Sequence, residues 1–261
     1  MTRVERMLPL YEAKMIHHFD PRWATFVDGS AVRDVTLREK RDADFEPLPR
    51  YWVREEVVNE ALVDHGTPLL GVRDITNSTN ERTVLASIFP YAAVGNNLPI
   101  VLGAEDPWSL TGVLSSFVLD FVARPKVGGV HLNFFIAHQL AVLPPEELAK
   151  TAPWGQPGSR LDHWLGDRVK ALSLPSSWKD FPRHEVRSEI DAAMFHSYVI
   201  AREDVDYVME TFPIVKRKDI AAHGEYRTKS LILETYDAMA QAIETGVPYE
   251  SPFDDLLAEG K

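Results

Sequence analysis

The sequence predicts an α+β fold, with a mixed β/α part followed by a helical C-terminal region. Three observations predict it. Short apolar runs bounded by turn formers recur through residues 1–150. Apolar residues at helical spacing dominate beyond Pro182. Between the two lies a stretch rich in proline, glycine, serine and tryptophan. The chain of 261 residues is 45% hydrophobic and 26% charged, which permits a packed core and argues against disorder.

Residues 23–27, WATFV, predict a strand. Residues 69–75, LLGVRDI, predict a strand with a polar end, and residues 83–89, TVLASIF, one that enters the core. Residues 98–102, LPIVL, carry a proline near their start and suit an edge strand. In residues 110–122 the apolar side chains at 110, 113, 114, 117, 118, 121 and 122 predict one helix. It would begin near Trp108 or Ser109 and stop before Arg124-Pro125. Residues 151–182 read as an irregular connector or arm holding one short helix over 161–172. Helices follow, with Val186, Ile190, Ala193 and Met194 on one face and Val205, Val208, Met209 and Phe212 on the next. A last helix over 225–243 is ended by Gly246 and Pro248. The expected organisation is a mixed unit over 1–150, a connector over 151–182, a helical region over 183–247 and an acidic tail over 248–261.

The chain has no cysteine, which excludes disulfides, thiolate metal sites and a cysteine nucleophile together. No run approaches the roughly 18 apolar residues of a membrane span, and the first residues hold no apolar signal-like core. A soluble cytoplasmic protein without a membrane partner is expected. The net charge of −11 argues against nucleic acid when taken alone. Its distribution weakens that argument. Residues 230–261 hold seven acids against Lys261 alone, whereas residues 214–229 hold five bases and two acids. Net charge describes the whole molecule, and phosphate contact needs only a local patch. The plainer reading of 214–229 is a solvated basic turn between two helices.

Motifs for mononucleotide and dinucleotide phosphate loops, HExxH and GxSxG are all absent. His17-His18 with Asp20 is the densest imidazole cluster, but adjacent helical side chains point about 100° apart, so no shared metal is expected. Glu12-Ala13-Lys14 fits half of a restriction-nuclease centre, yet no aspartate precedes it to share a magnesium ion. The tetrapeptide with which amino methyltransferases hold a flipped base is missing. The only Pro-Pro, Pro144-Pro145, has neither the required polar residue before it nor an aromatic after it.

Four longer strings fall in a telling order: PLYEAKMIHHFDPRWATF (9–26), GVRDITNSTNERTVLASIFP (71–90), SSFVLDFVARPKVGGVHLNFFIAHQLAVLPP (115–145) and ETFPIVKRKDIAAHGEYRTKSLILETYDA (210–238). Together they resemble the C-terminal target-recognition region of large adenine-specific DNA methyltransferases. These are the type IIG-like restriction-modification methylases, with relatives in the BREX and DISARM phage-defence systems. The resemblance spans nearly the whole chain. It implies that this region reads double-stranded DNA while an upstream domain binds S-adenosylmethionine and transfers the methyl group. The chain departs from the family in lacking that domain, so no cofactor, metal or catalytic residue is expected in it. It would act as a fragment or partner of the methyltransferase, not as an enzyme by itself.

DNA reading needs donors and bidentate amides for base edges and bases for phosphates. Arg73, Asn77, Thr79, Asn80 and Arg82 concentrate such groups in ten residues, against the alternative of a solvated capping loop. Arg124 and Lys126, followed by Gly128-Gly129, form a second candidate, against a plain turn. Lys216, Arg217, Lys218, Arg227 and Lys229 form a third, as phosphate clamps. Asn133 and Gln139 sit in apolar surroundings and suit satisfied buried amides at least as well. Lys14, His17, His18 and Arg22 lie in the segment that follows the catalytic domain in the family, and an interface with that domain is their expected role. The rival reading is an assembly module that docks a partner of the same machine without reading sequence. A free-standing enzyme is the third.

Overall fold

The computed structural model describes residues 5–63, 68–179 and 181–258. The fold is α+β, as expected. In chain order it comprises β1 (Met7–Tyr11), β2 (Ala24–Phe26), β3 (Val32–Asp34), α1 (Leu37–Arg41), β4 (Trp52–Arg54), α2 (Glu55–Ala61) and β5 (Leu69–Val72). Then come β6 (Ala86–Phe89), β7 (Ala93–Val94), β8 (Ile100–Val101), α3 (Pro107–Leu114), α4 (Phe117–Ala123), α5 (Phe134–Ala137) and α6 (Pro145–Leu148). The helical remainder is α7 (Leu161–Ser173), α8 (Arg183–Ser197), α9 (Arg202–Glu210), α10 (Pro213–His223), α11 (Arg227–Thr245) and α12 (Asp254–Ala258).

The strands form three small sheets, ordered β4-β1-β7, β2-β3 and β6-β5-β8. Within the last, β5 pairs antiparallel with both neighbours, Leu70 facing Ile88 on one side and Val101 on the other. The predicted strand over 69–75 stops at Val72, and the strand over 83–89 begins only at Ala86. The amides of Thr83 and Val84 leave the ladder because a buried carboxylate, Asp120, accepts both, at 2.7 and 2.6 Å.

The single helix expected over 110–122 is two helices, α3 and α4, broken at Ser115-Ser116. Ser116 is extended (φ −76°, ψ 151°) and its hydroxyl accepts from the Leu119 amide. A short hydroxyl side chain competes for backbone amides, and here it restarts the helix on a new axis. Asp191 of α8 fixes the break by accepting the Phe117 amide at 2.7 Å. The basic turn expected over 214–229 is mostly helix: α10 runs to His223, and Gly224, at φ 80°, ends it in the left-handed region.

Three cores hold the molecule. The largest gathers α3, α4 and α7 to α11, with Ile190, Met194, Val205, Met209, Phe212 and Ile232 at its centre. Residues 151–182 contribute Trp154, Leu165, Val169 and Leu172 to it, all fully buried, and α7 packs along α3. A second core lies under β1 and joins Tyr11, Phe26 and Phe89; a third lies between β5, β6 and α4 and extends to Val127 and Leu132. Among the described residues, no helix is long and apolar enough to cross a membrane.

Candidate nucleic-acid interface

Arg82, Arg124 and Lys218, one from each of the three expected contact segments, meet at one place in the fold. Asp120 is the centre. Besides the two amides it holds Arg124 Nε at 3.1 Å, with Arg82 Nε 3.7 Å away. Arg82 donates to the Ser115 carbonyl, and its guanidinium lies 3.8 Å from the centre of the Phe117 ring. Arg124 donates to the carbonyls of Asn80 and Glu81 at 2.8 and 2.7 Å and stacks 4.1 Å from the centre of the Phe212 ring. Lys218 of α10 reaches the same loop through an ion pair with Glu81. The side chains of Arg82 and Arg124 are only 10% and 13% exposed, so these two arginines hold the loop to the helices.

What the loop presents lies beyond that anchor. Thr76 N donates to Val130 O at 3.0 Å, Leu132 N to Asp74 O at 2.7 Å, and His131 Nδ1 sits 2.8 Å from Asp74 Oδ2. Residues 74–82 and 124–135 therefore form one lobe. Within it Asn77 Oδ1 accepts from the Thr79 amide and hydroxyl, both at 2.8 Å, which closes an Asx turn. Thr79 and Asn80 are exposed at its tip, as are Lys126, Gly128 and Gly129. A Cβ added at either glycine would meet nothing, so backbone amides there are open to a ligand. Lys126 makes no ion pair among the described residues. Arg73 is half-buried, its Nε lacks a partner, and burial lowers its pKa.

The bases of α10 and α11 lie at the surface but face acids. Lys216 pairs with Glu210 at 2.6 Å, and Lys229 with Glu210 and Asp206 at 2.6 and 3.0 Å. Hydrogen bonds from these two lysines hold the Glu210 carboxyl below its ordinary pKa. Arg227 pairs with Glu185. Arg217 is exposed and without an ion pair among the described residues.

Of the expected interface residues, Lys14 is near the surface, 3.4 Å from Glu12 and 4.7 Å over Phe26. His18 is buried with Nε2 2.8 Å from the Val84 carbonyl, and His17 stacks on Trp23 with centroids 4.3 Å apart. Burial lowers both imidazoles, His17 to about 4, so both are neutral near pH 7. Arg22 donates to the carbonyls of Lys40, Asp42 and Phe45, tying the loop after α1 to the β2 segment. Asn133 and Gln139 are exposed, not buried as expected: Asn133 caps α5, accepting from Ile136 N at 3.0 Å, and Gln139 donates to Phe135 O at 3.1 Å, so both amides are satisfied locally at the surface.

Two cavities flank these features. One of about 130 Å³ lies behind Arg82 and is lined by His17, His18, His184, Arg187, Asp191 and Ser115. Burial pushes the Asp191 carboxyl up to about 6. The other, an apolar cleft of about 510 Å³, is walled by Tyr11, Phe45, Trp52, Phe89, Tyr91 and Trp108. Sequence reasoning passed over this cleft and also Phe134 and Phe135, whose visible sign was two adjacent aromatics directly after Asn133. No group of three or more histidines or carboxylates among the described residues is arranged to hold a metal. No protein-family profile, curated protein or solved structure matches the chain.

Proposed function

We propose that this chain is the DNA sequence-recognition region of an adenine-specific methyltransferase of a restriction-modification or phage-defence system. S-adenosylmethionine and the methyl transfer would belong to a separate domain or subunit. The observation that carries the reading is the lobe. Arg124 and Asp120 lock residues 74–82 against 124–135, and the combined tip offers amides, a hydroxyl, open glycine backbone and one free lysine. Asn80, Thr79 and the amide nitrogen of Asn77 suit base edges; Lys126, Arg217 and the backbone of Gly128-Gly129 suit phosphates. The lysines paired with Glu210 form a secondary reserve. Exposed pairs contribute only about 0–1 kcal/mol each, so a phosphate can compete for them. Arg82 and Arg124 serve as positioning residues.

A net charge of −11 implies weak, strongly salt-dependent binding. With two or three phosphates neutralised, log K should fall against log salt with a slope of about −2 to −3. The test is an anisotropy titration with randomised duplex DNA at low and physiological salt, with sequencing of the bound fraction. Enrichment of one short motif that persists as salt rises is the expected result. Binding without enrichment removes the sequence-reading claim, and no binding at either salt removes DNA altogether.

The apolar cleft favours a second reading, an assembly module. Its rim leaves Trp52 and Leu48 exposed, where a partner's apolar side chains would be covered. Under that reading Trp52→Ala weakens complex formation with the methyltransferase partner and leaves any DNA binding unchanged.

A further inference from the structure

The cavity of about 130 Å³ behind Arg82 is lined by side chains whose hydrogen-bonding capacity the fold leaves unused. Arg82 Nε, Arg187 Nε and Ser115 Oγ are buried and have no hydrogen-bond partner among the described residues. Ser115 is only 3% exposed. Arg82 Nε lies 3.7 Å from Asp120, too far for a hydrogen bond. The two nitrogens are donors only, and a guanidinium keeps its charge in a protein. Buried polar groups are ordinarily paired, so these three atoms together select a ligand that accepts hydrogen bonds. The acids that line the same cavity are engaged elsewhere. Glu81 pairs with Lys218, Asp219 Oδ2 accepts the Thr228 amide at 2.6 Å, and Asp191 Oδ1 accepts the Phe117 amide at 2.7 Å. Only Asp191 Oδ2 takes no hydrogen bond among the described residues while its partner oxygen does.

Size and chemistry narrow the ligand. At about 30 Å³ per water the cavity equals roughly four waters, the bulk of one five-atom oxyanion, and it falls well below the ~300 Å³ of pockets for drug-sized molecules. Two arginines and a hydroxyl suit an oxyanion, which presents acceptors on every side. The lining histidines, His17, His18 and His184, are lowered by burial and add no charge near pH 7. Asp191 adds a second requirement. Burial raises its carboxyl to about 6, so it is still largely ionised near pH 7. A carboxylate repels a fully ionised oxyanion but accepts a hydrogen bond from one that has kept a proton. Sulfate has no proton to give, nor has a backbone phosphodiester. A phosphate monoester, with a second pKa of about 6, has largely lost its last one. Inorganic phosphate still carries at least one. We infer that this cavity is a binding site for inorganic hydrogen phosphate, which accepts from Arg82, Arg187 and Ser115 and donates its own hydroxyl to Asp191. The walls come from residues 17–19, the inner end of the lobe, the break between α3 and α4, and α8, α10 and α11. Bound phosphate therefore joins the mixed part of the fold to the helical part. The inference goes beyond the DNA-binding reading and does not depend on it.

The test is calorimetric titration of the full chain near pH 7, at constant ionic strength, with inorganic phosphate, sulfate and methyl phosphate in turn. Phosphate should bind at one site, about tenfold or more tightly than either of the others, as one charge-assisted hydrogen bond predicts. It should also raise the thermal midpoint as it saturates, because it binds the folded chain alone. Ser115→Ala should weaken phosphate several-fold. Asp191→Asn should erase the preference, since an amide in place of the carboxylate accepts sulfate as readily as phosphate. Arg187→Gln keeps a donor for the His18 carbonyl and should weaken all three anions. If that variant does not fold, Ser115→Ala and Asp191→Asn still decide the matter. Neither heat nor a midpoint shift at millimolar phosphate overturns the site and leaves the cavity to water. Equal binding of the three anions, or a preference that survives Asp191→Asn, overturns the proton-selective assignment. Binding that Ser115→Ala does not change overturns the placement in this cavity.

Discussion

The lobe and the helix pair α10 and α11 both carry basic residues, and they use them in opposite ways. In the lobe the arginines point inward. Arg82 and Arg124 meet Asp120, nearby carbonyls and aromatic rings, and the exposed residues of the lobe include Thr79, Asn80, Lys126, two glycines and the apolar Ile75, Val130, Phe134 and Phe135. In α10 and α11 the bases point outward, but Glu210, Asp206, Glu185 and Glu81 sit opposite Lys216, Lys229, Arg227 and Lys218. A basic run in the chain is therefore no measure of available positive charge. In one region the charge is buried as structure; in the other it is surface charge already neighboured by acids.

The largest expected effect comes from removing the lobe's anchor. Asp120→Ala leaves Arg124 and two amides without their acceptor in a buried site. It should cost about 3–5 kcal/mol, on the order of a 10 °C fall in the thermal midpoint. Lys218→Ala breaks only an exposed pair and should leave the midpoint nearly unchanged. Equal losses in the two would erase the contrast drawn between buried and surface bases.

Next in size is the Asp191 effect, which tests how rigidly the helices hold the break between α3 and α4. Its carboxyl is raised to about 6 by burial, above its ordinary value of 3.8, so the folded state favours the protonated form. The penalty for ionising it is absent at low pH, grows from about pH 4 to pH 6 and is complete above that. Asp191→Asn keeps an oxygen acceptor for the Phe117 amide and removes that charge. The variant should gain stability relative to wild type across this window, reaching about 2 kcal/mol at pH 7. His17, lowered to about 4, contributes the opposite slope between about pH 4 and its ordinary 6.5. Because both proteins carry it, the difference in urea-unfolding free energy between them cancels it. A flat difference from pH 4 to pH 7 would contradict an ionised buried Asp191.

The smallest effect is the sharpest on function. Lys126→Ala should reduce the salt slope of DNA binding by about one. Lys216→Ala should change it by clearly less, since that lysine already neighbours Glu210. If Lys216 carries the larger share, the helices and not the lobe face the DNA.

Much of the fold was legible locally. The stripes at 186–194 and 205–212 lie in the core as their spacing requires, and Gly246 ends α11 in the left-handed region. The strand at 23–27 and the helix at 161–172 are present within a residue or two. The break at Ser115-Ser116 was hidden because the apolar spacing continues through it; what restarts the chain is a serine cap and a carboxylate 74 residues away. β1 and β4 were missed because each is short and owes its ladder to the other, Leu8 facing Val53. Residues 151–182 read as a connector because proline and glycine interrupt every period, yet Trp154 is fully buried.

By itself the sequence determined the α+β class, the placement of the helical stripes and the segments where polar and basic residues concentrate. These follow from side-chain period and local turn chemistry, which act over a few residues. The tertiary structure alone decided which bases are free. Asp120 gathers Arg82, Arg124 and the amides of residues 83 and 84 into one buried knot, while Lys126 and the two phenylalanines remain outside it. A charge is available or committed according to what lies within a few ångströms of it. That neighbourhood is assembled from residues far apart along the chain, once the cores have closed.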